Sequence, residues 1–236
     1  MTGRRAKRFY HAVATAVVAG EHVVTLDGRP ALTPERRQLA LPTAAAAAAV
    51  AAEWQAQEAS IDPGAMPLSQ LACIAIDRVA PRRAAVIAEI VRYAESDLLC
   101  YRACGPPELV ARQERHWQPL ASWFGARFGA LLRVTLGVVP VGQDPAVERA
   151  VARALADTTD YALAALYRAT TASGSAVLAL ALAEGRVDAA EAWTASRVDE
   201  SFQAECSGHD AEAETRARLM CADLAAAQRF LELLRP

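Results

Sequence analysis

Catalytic machinery is what this 236-residue chain has least of. Its histidines number four, His11, His22, His116 and His209, and none belongs to an HExxH pair. No serine stands in a G-x-S-x-G elbow; Gly174-Ser175 lacks the first half of one and follows a helical stretch. Glycine-rich loops of the P-loop or Rossmann kind are missing too, so no ATP or dinucleotide site of those types is expected. Long apolar runs are scarce: Ala176 to Ala183 is closed by Glu184-Gly185-Arg186, far short of the roughly 20 residues that a bilayer requires. No charge of one sign dominates. The formal net charge is −2, which provides no global field to draw in nucleic acid. The five cysteines are odd in number and read as reduced thiols in a reducing compartment.

What is present is alanine. It raises the hydrophobic fraction to 53%, while the charged fraction of 22% is that of an ordinary soluble protein with ample core. The first forty residues alternate with period two. Phe9, His11, Val13, Thr15 and Val17 face one way, Gly20-Glu21 interrupts, and His22 to Leu26 resumes. Asp27-Gly28 suits a type I′ hairpin, Pro30 and Pro34 restrict the next strand to an edge or a bulge, and Gln38–Leu41 forms a further short strand. From Pro42 the period becomes helical. Thr43 can cap a helix through Ala44 to Trp54, which Asp62-Pro63-Gly64 ends. Leu68, Leu71, Ala72, Ala75 and Val79 form a second apolar stripe, and Pro81 opens another helix. Helices follow on each side of Cys104-Gly105-Pro106-Pro107, with Pro119 kinking or restarting the latter. A third begins at Pro145, and Asp188 with Glu191 forms a capping box. The last starts near Asp210.

The pattern implies an α+β protein: a small antiparallel β-rich N-terminal domain over residues 1–64 and a larger helical domain over 65–236. The β-branched stretch 131–141 is expected to dock on the N-terminal sheet.

Few side chains offer chemistry beyond packing. Cys100 and Cys104 with Cys206 and His209 could compose a zinc or thiol site, against the plainer reading of buried structural thiols. Trp117, Trp123 and Trp193 fall at core positions. Trp54, next to Glu53 near a helix end, suits a half-exposed interface anchor. Among the acids from Asp199 to Glu214, those of the last helix complement its dipole. Asp199 lies at the rim of the apolar stripe beside Phe202, whereas Glu200 shares a face with Trp193 and Arg197. For both acids a structural role and a partner-facing role stand open.

An ordered string of short segments runs through nearly the whole chain. It comprises Lys7-Arg8-Phe9-Tyr10, Leu26-Asp27-Gly28-Arg29, Glu53-Trp54 with Gln57, and Ile61-Asp62-Pro63 with Met66-Pro67-Leu68. It continues through Ser96-Asp97-Leu98-Leu99-Cys100-Tyr101-Arg102, Gln113 with Trp117, Gly174-Ser175, Trp193, Asp199-Glu200 with Phe202-Gln203, and Gly208 with Asp210. In this the chain resembles the ATP-twelve family of assembly chaperones; Leu32 and Ser207 depart from the family pattern. The resemblance implies a binding protein, not an enzyme, that uses no cofactor or metal. Its client would be the unassembled alpha subunit of the soluble catalytic sector of ATP synthase, shielded until the beta subunit replaces it. Candidate contact residues are Glu53, Trp54, Asp199, Glu200, Phe202, Gln203 and Asp210. The family-like text begins at Lys7, so a mature start near Met1 is expected. A bacterial cytoplasmic protein, monomeric when free and neither membrane-inserted nor bound to nucleic acid, completes the expectation.

Overall fold

The computed structural model describes residues 6–137, 139–208 and 211–235. The chain folds as α+β in two compact units: residues 1–83, 159–165 and 229–236 form the first, and residues 84–158 and 166–228 the second.

The first unit is built on the hairpin anticipated above. Strand β1 (Val13–Val18) pairs antiparallel with β2 (Glu21–Leu26) around Ala19-Gly20, and β2 also holds β3 (Arg29–Pro30) and β4 (Ala40–Leu41). At the β2–β3 turn both Asp27 (φ 48°) and Gly28 (φ 78°) occupy the left-handed region, as a type I′ turn demands. Asp27 repays this strain locally. Its carboxylate accepts from the His11 and Ala12 amides at 3.0 and 2.8 Å, and these bonds hold its pKa below the usual carboxylate range.

Helix α1 (Ala44–Gln55) packs on the β1–β2 layer. Its small side chains allow close approach, so Ala46, Ala47 and Val50 are fully buried with Val24, Leu39 and Leu41. Thr43 caps α1 by accepting from the Ala46 amide and donates in turn to the Leu233 carbonyl at 2.6 Å. Helix α2 (Pro67–Ile74) continues through a π-helical turn, Ala75–Val79, into α3 (Ala80–Glu95), with non-helical geometry at Arg82. The boundary between the units falls at 83/84, within α3, instead of at the turn 62–64. The reason is that α2 packs with α1 and that Asp77 accepts from the Thr33 hydroxyl (2.7 Å) and the Glu35 amide (3.1 Å) of the β3–β4 connection.

The second unit is helical: the rest of α3, then α4 (Pro107–Phe128), α5 (Pro145–Ala156), α6 (Asp160–Ser173, from Leu166), α7 (Ala176–Ala183), α8 (Ala189–Ser196), α9 (Val198–Ser207) and α10 (Ala211–Leu233, to Gln228). Helix α4 runs through Pro119 without a break, contrary to the expected restart. In the stretch 131–141, Thr135–Leu136 (β6) is a strand that pairs in parallel with β5 (Tyr101–Arg102) inside this unit. Every residue from Ala176 to Leu182 is buried, which makes α7 the central helix.

The segment 96–102 works as a clasp around that helix. Asp97 is fully buried. Its Oδ1 accepts from the Ser175 hydroxyl (2.7 Å) and the Leu99 amide (3.1 Å), and its Oδ2 from the Val177 amide (3.1 Å). One carboxylate thus satisfies orphan donors at the start of α7 and of the turn Leu98–Cys100. Burial nevertheless outweighs these bonds and pushes its pKa up from 3.8 to about 6. Arg102 closes the segment by donating to the Leu99 carbonyl at 2.9 Å and lying over the Trp117 ring. Among the described residues no helix is long and apolar enough to cross a membrane.

Candidate client-binding surface

Helix α9 has two sides with different work. One side is tied to α4. Gln113 is buried and spans two elements, accepting from the Ala103 amide and donating to Asp199 Oδ1, each at 2.7 Å. Trp117, also buried, donates its indole N–H to the Ala195 carbonyl at 2.7 Å. Arg112 lies over the Phe202 ring and forms a bidentate pair with Glu205, both contacts at 2.7 Å. That pairing raises the guanidinium pKa and lowers that of Glu205. Asp199 thus finds its partner in an amide 86 residues away. Asp199 and Phe202 serve to seat α9.

The opposite side borders a groove of about 670 Å³ between α8–α9 and the start of α10. Trp193, Ala204, Ala213, Ala217 and Met220 form a half-buried apolar floor. Glu200 stands at its rim, 3.1 Å from Arg197, whose guanidinium lies over Trp193. Gln203 lines the groove and is exposed. Trp193 is therefore not the core residue its helical spacing suggested. The groove stays open because the apolar stripe of α10 is only partly covered. Leu224, Ala227 and Leu231 are buried, whereas nothing between Ala211 and Asp223 is, and Leu219 is 64% exposed.

The N-terminal candidates separate in the same way. The Glu53 carboxylate is turned inward, where it accepts from the Leu68 and Ser69 amides (2.8 Å each) and the Ser69 hydroxyl (2.7 Å) and so caps α2; desolvation raises its pKa. Trp54 is half-buried. Its ring meets Tyr10 edge-on, and its enclosed indole N–H has no hydrogen-bond partner among the described residues. It lines a cavity of about 550 Å³ with Phe9, Pro30 and Leu32. Phe9 is 71% exposed there. Asp210 and His209 lie outside the described residues.

The cysteines do not converge. Cys100 is in the core, where burial drives its thiol up to about 12, while Cys104 and Cys206 are exposed. Among the described residues no three His, Cys, Asp or Glu side chains are placed to hold a metal ion.

Known proteins share this fold. The family model described as ATP12 chaperone protein matches residues 7–125. The chain belongs to the ATP12 chaperone family. Atp12 from Paracoccus denitrificans is 44% identical, with a TM-score of 0.92 over 98% of this chain and 99% of that one. A point mutant of P. denitrificans Atp12p superposes equally well at 43% identity, covering 98% of each chain. The Atu1473 protein of Agrobacterium tumefaciens is 41% identical over 97% of this chain and 86% of its own, again with a TM-score of 0.92. The ATP12-family chain is thus a chaperone of ATP synthase assembly.

Spacing had grouped Trp193, Arg197 and Glu200 but not the half-buried Met220, which joins them in the groove. The available signal was the shared face of Trp193, Arg197 and Glu200. What it lacked was the position of α10.

Proposed function

We propose that this chaperone holds the unassembled alpha subunit of the ATP synthase catalytic sector, covering the surface that the beta subunit later takes, and does so by binding alone. An obligate subunit without its partner presents a large apolar interface, which self-associates unless it is covered. The observation that carries the reading is the α9–α10 groove: an apolar floor at Trp193 and Met220 beside a charged rim at Arg197 and Glu200. Apolar floor supplies affinity, and rim charge sets orientation and association rate. Gln203 completes the rim, and Trp54 is a second anchor by its half-buried aromatic surface beside Phe9. Glu53, Asp199 and Phe202 support these surfaces from within and do not meet the client. Exposed, unpaired thiols at Cys104 and Cys206 suit a reducing compartment such as the cytoplasm.

Co-purification of separately expressed alpha and beta subunits with the full chain tests the reading. Alpha is retained and beta is not, added beta releases alpha, and Met220→Glu reduces retention without loss of fold. Failure to retain alpha, or retention that depends on ATP turnover by the chaperone, overturns it.

A further inference from the structure

Strand β1 is an open sheet edge. Its neighbour β2 uses its other side for β3 and β4, so β1 closes the sheet alone. The register decides which backbone groups are spent. Asp27 donates to the Ala12 carbonyl, and Val24 donates to Leu39 and accepts from Ala31. The Thr15–Val24 pair is therefore a non-hydrogen-bonded pair, and so are Val13–Leu26 and Val17–His22. The amide N–H and carbonyl groups of Val13, Thr15 and Val17 consequently point away from the sheet, and none has a partner among the described residues.

Natural edge strands are guarded by charge, proline, a bulge or a covering element. Val13-Ala14-Thr15-Ala16-Val17-Val18 contains no charge and no proline, and its register runs without a bulge. Among the described residues nothing covers it: all residues of the strand but Val13 are exposed, and Val17 is 67% so. Two unlike observations, unmet backbone groups at a regular repeat and an unguarded apolar sequence, converge on one kind of ligand.

We propose that β1 receives an extended segment of the client polypeptide, which adds to the sheet as a further strand. The inference rests on the reading above that the client is the alpha subunit. Three outward donor–acceptor residues recur every second position, about 7 Å apart, which is the repeat an added strand presents. A second copy of this chain is the poorer occupant. Six residues span about 20 Å, and pairing along such an edge buries well under the ~1,000 Å² that stable association needs. A client with further contacts elsewhere does not face that limit.

Thr15→Pro is the discriminating variant, because it deletes only an outward N–H and leaves the β1–β2 ladder intact. Val17→Lys places a guarding charge on the same edge and serves if the proline variant fails to fold. Both are compared with wild type for capture of purified alpha subunit, with hydrogen exchange followed at Val13, Thr15 and Val17. The expected result is slowed exchange at those three amides in the complex and capture weakened by about tenfold in the variants, with melting temperature nearly unchanged. Wild-type capture of alpha that both folded variants match, with no added protection, overturns the added strand and leaves the chaperone reading standing. A wild-type dimer that Thr15→Pro dissolves assigns the edge to self-pairing instead. No capture of alpha by wild type overturns both.

Discussion

Replacing Asp97 by alanine separates the two opposed terms that act on a buried carboxylate. The substitution strands the Leu99 amide, the Val177 amide and the Ser175 hydroxyl, all of which bond to Asp97 in the interior. Each orphaned buried donor costs about 1–3 kcal/mol, so the gross loss is several kcal/mol. Against it stands the burial of charge. A pKa raised from 3.8 to about 6 means that the ionised form is disfavoured in the folded chain by on the order of 3 kcal/mol. The sign follows from proton counting. Between those values the folded chain binds the proton more tightly than the unfolded chain does. The wild type therefore keeps the full benefit of Asp97 below about pH 4 and loses part of it as pH rises towards and through 6. Alanine carries no such dependence. Urea unfolding of wild type and Asp97→Ala at pH 4, 5, 6 and 7.5 should show the variant less stable throughout, with the gap widest at pH 4 and narrowed by about 3 kcal/mol at pH 7.5. A gap that is constant, or that widens with pH, would refute the reasoning. It would mean that the hydrogen bonds to Asp97 outweigh its desolvation.

Glu200→Lys should leave the melting temperature within about 1–2 °C of wild type, because a rim substitution costs within about 0.5 kcal/mol, while slowing association with the alpha subunit; unchanged kinetics at low salt would clear the rim of any role. Asp199→Ala should do the reverse: loss of the acceptor for buried Gln113 costs about 1–3 kcal/mol, read by denaturant midpoint, with capture retained at temperatures where the protein is folded. Glu53→Ala should destabilise by about 1–2 kcal/mol through loss of the α2 cap, and amide exchange at Leu68 and Ser69 should accelerate before the rest of the chain. Trp117→Phe should cost about 2–4 kcal/mol, since it leaves both a void and the Ala195 carbonyl unpaired in the core; a near-neutral melt would show that the indole N–H is dispensable.

Local rules in the sequence settled the elements whose causes are local. Asp27-Gly28 can only be a tight turn of positive φ, Thr43 caps the alanine helix that follows it, and Asp188 with Glu191 closes a capping box at α8, as the side chains confirm. The order of short signature segments placed the chain in its family. The roles inside those segments were another matter. Glu53 and Asp199 stand among the candidate contact residues in one dimension, yet they, like Asp97 and Gln113 of the same segments, spend their polar atoms on backbone or side chains brought in by folding, in the case of Asp97 from 78 residues away. A buried polar group must be satisfied, and only the packed chain shows by what. The same holds for surfaces. Helical periodicity put Trp193 at a core position, but whether a stripe is covered depends on how far the next helix extends over it. Here α10 leaves its first half open, and the stripe becomes a groove. The alternation of β1 was legible in the sequence, whereas its position at the edge of the sheet, with three residues' backbone groups unpaired among the described residues, was decided by strand order alone.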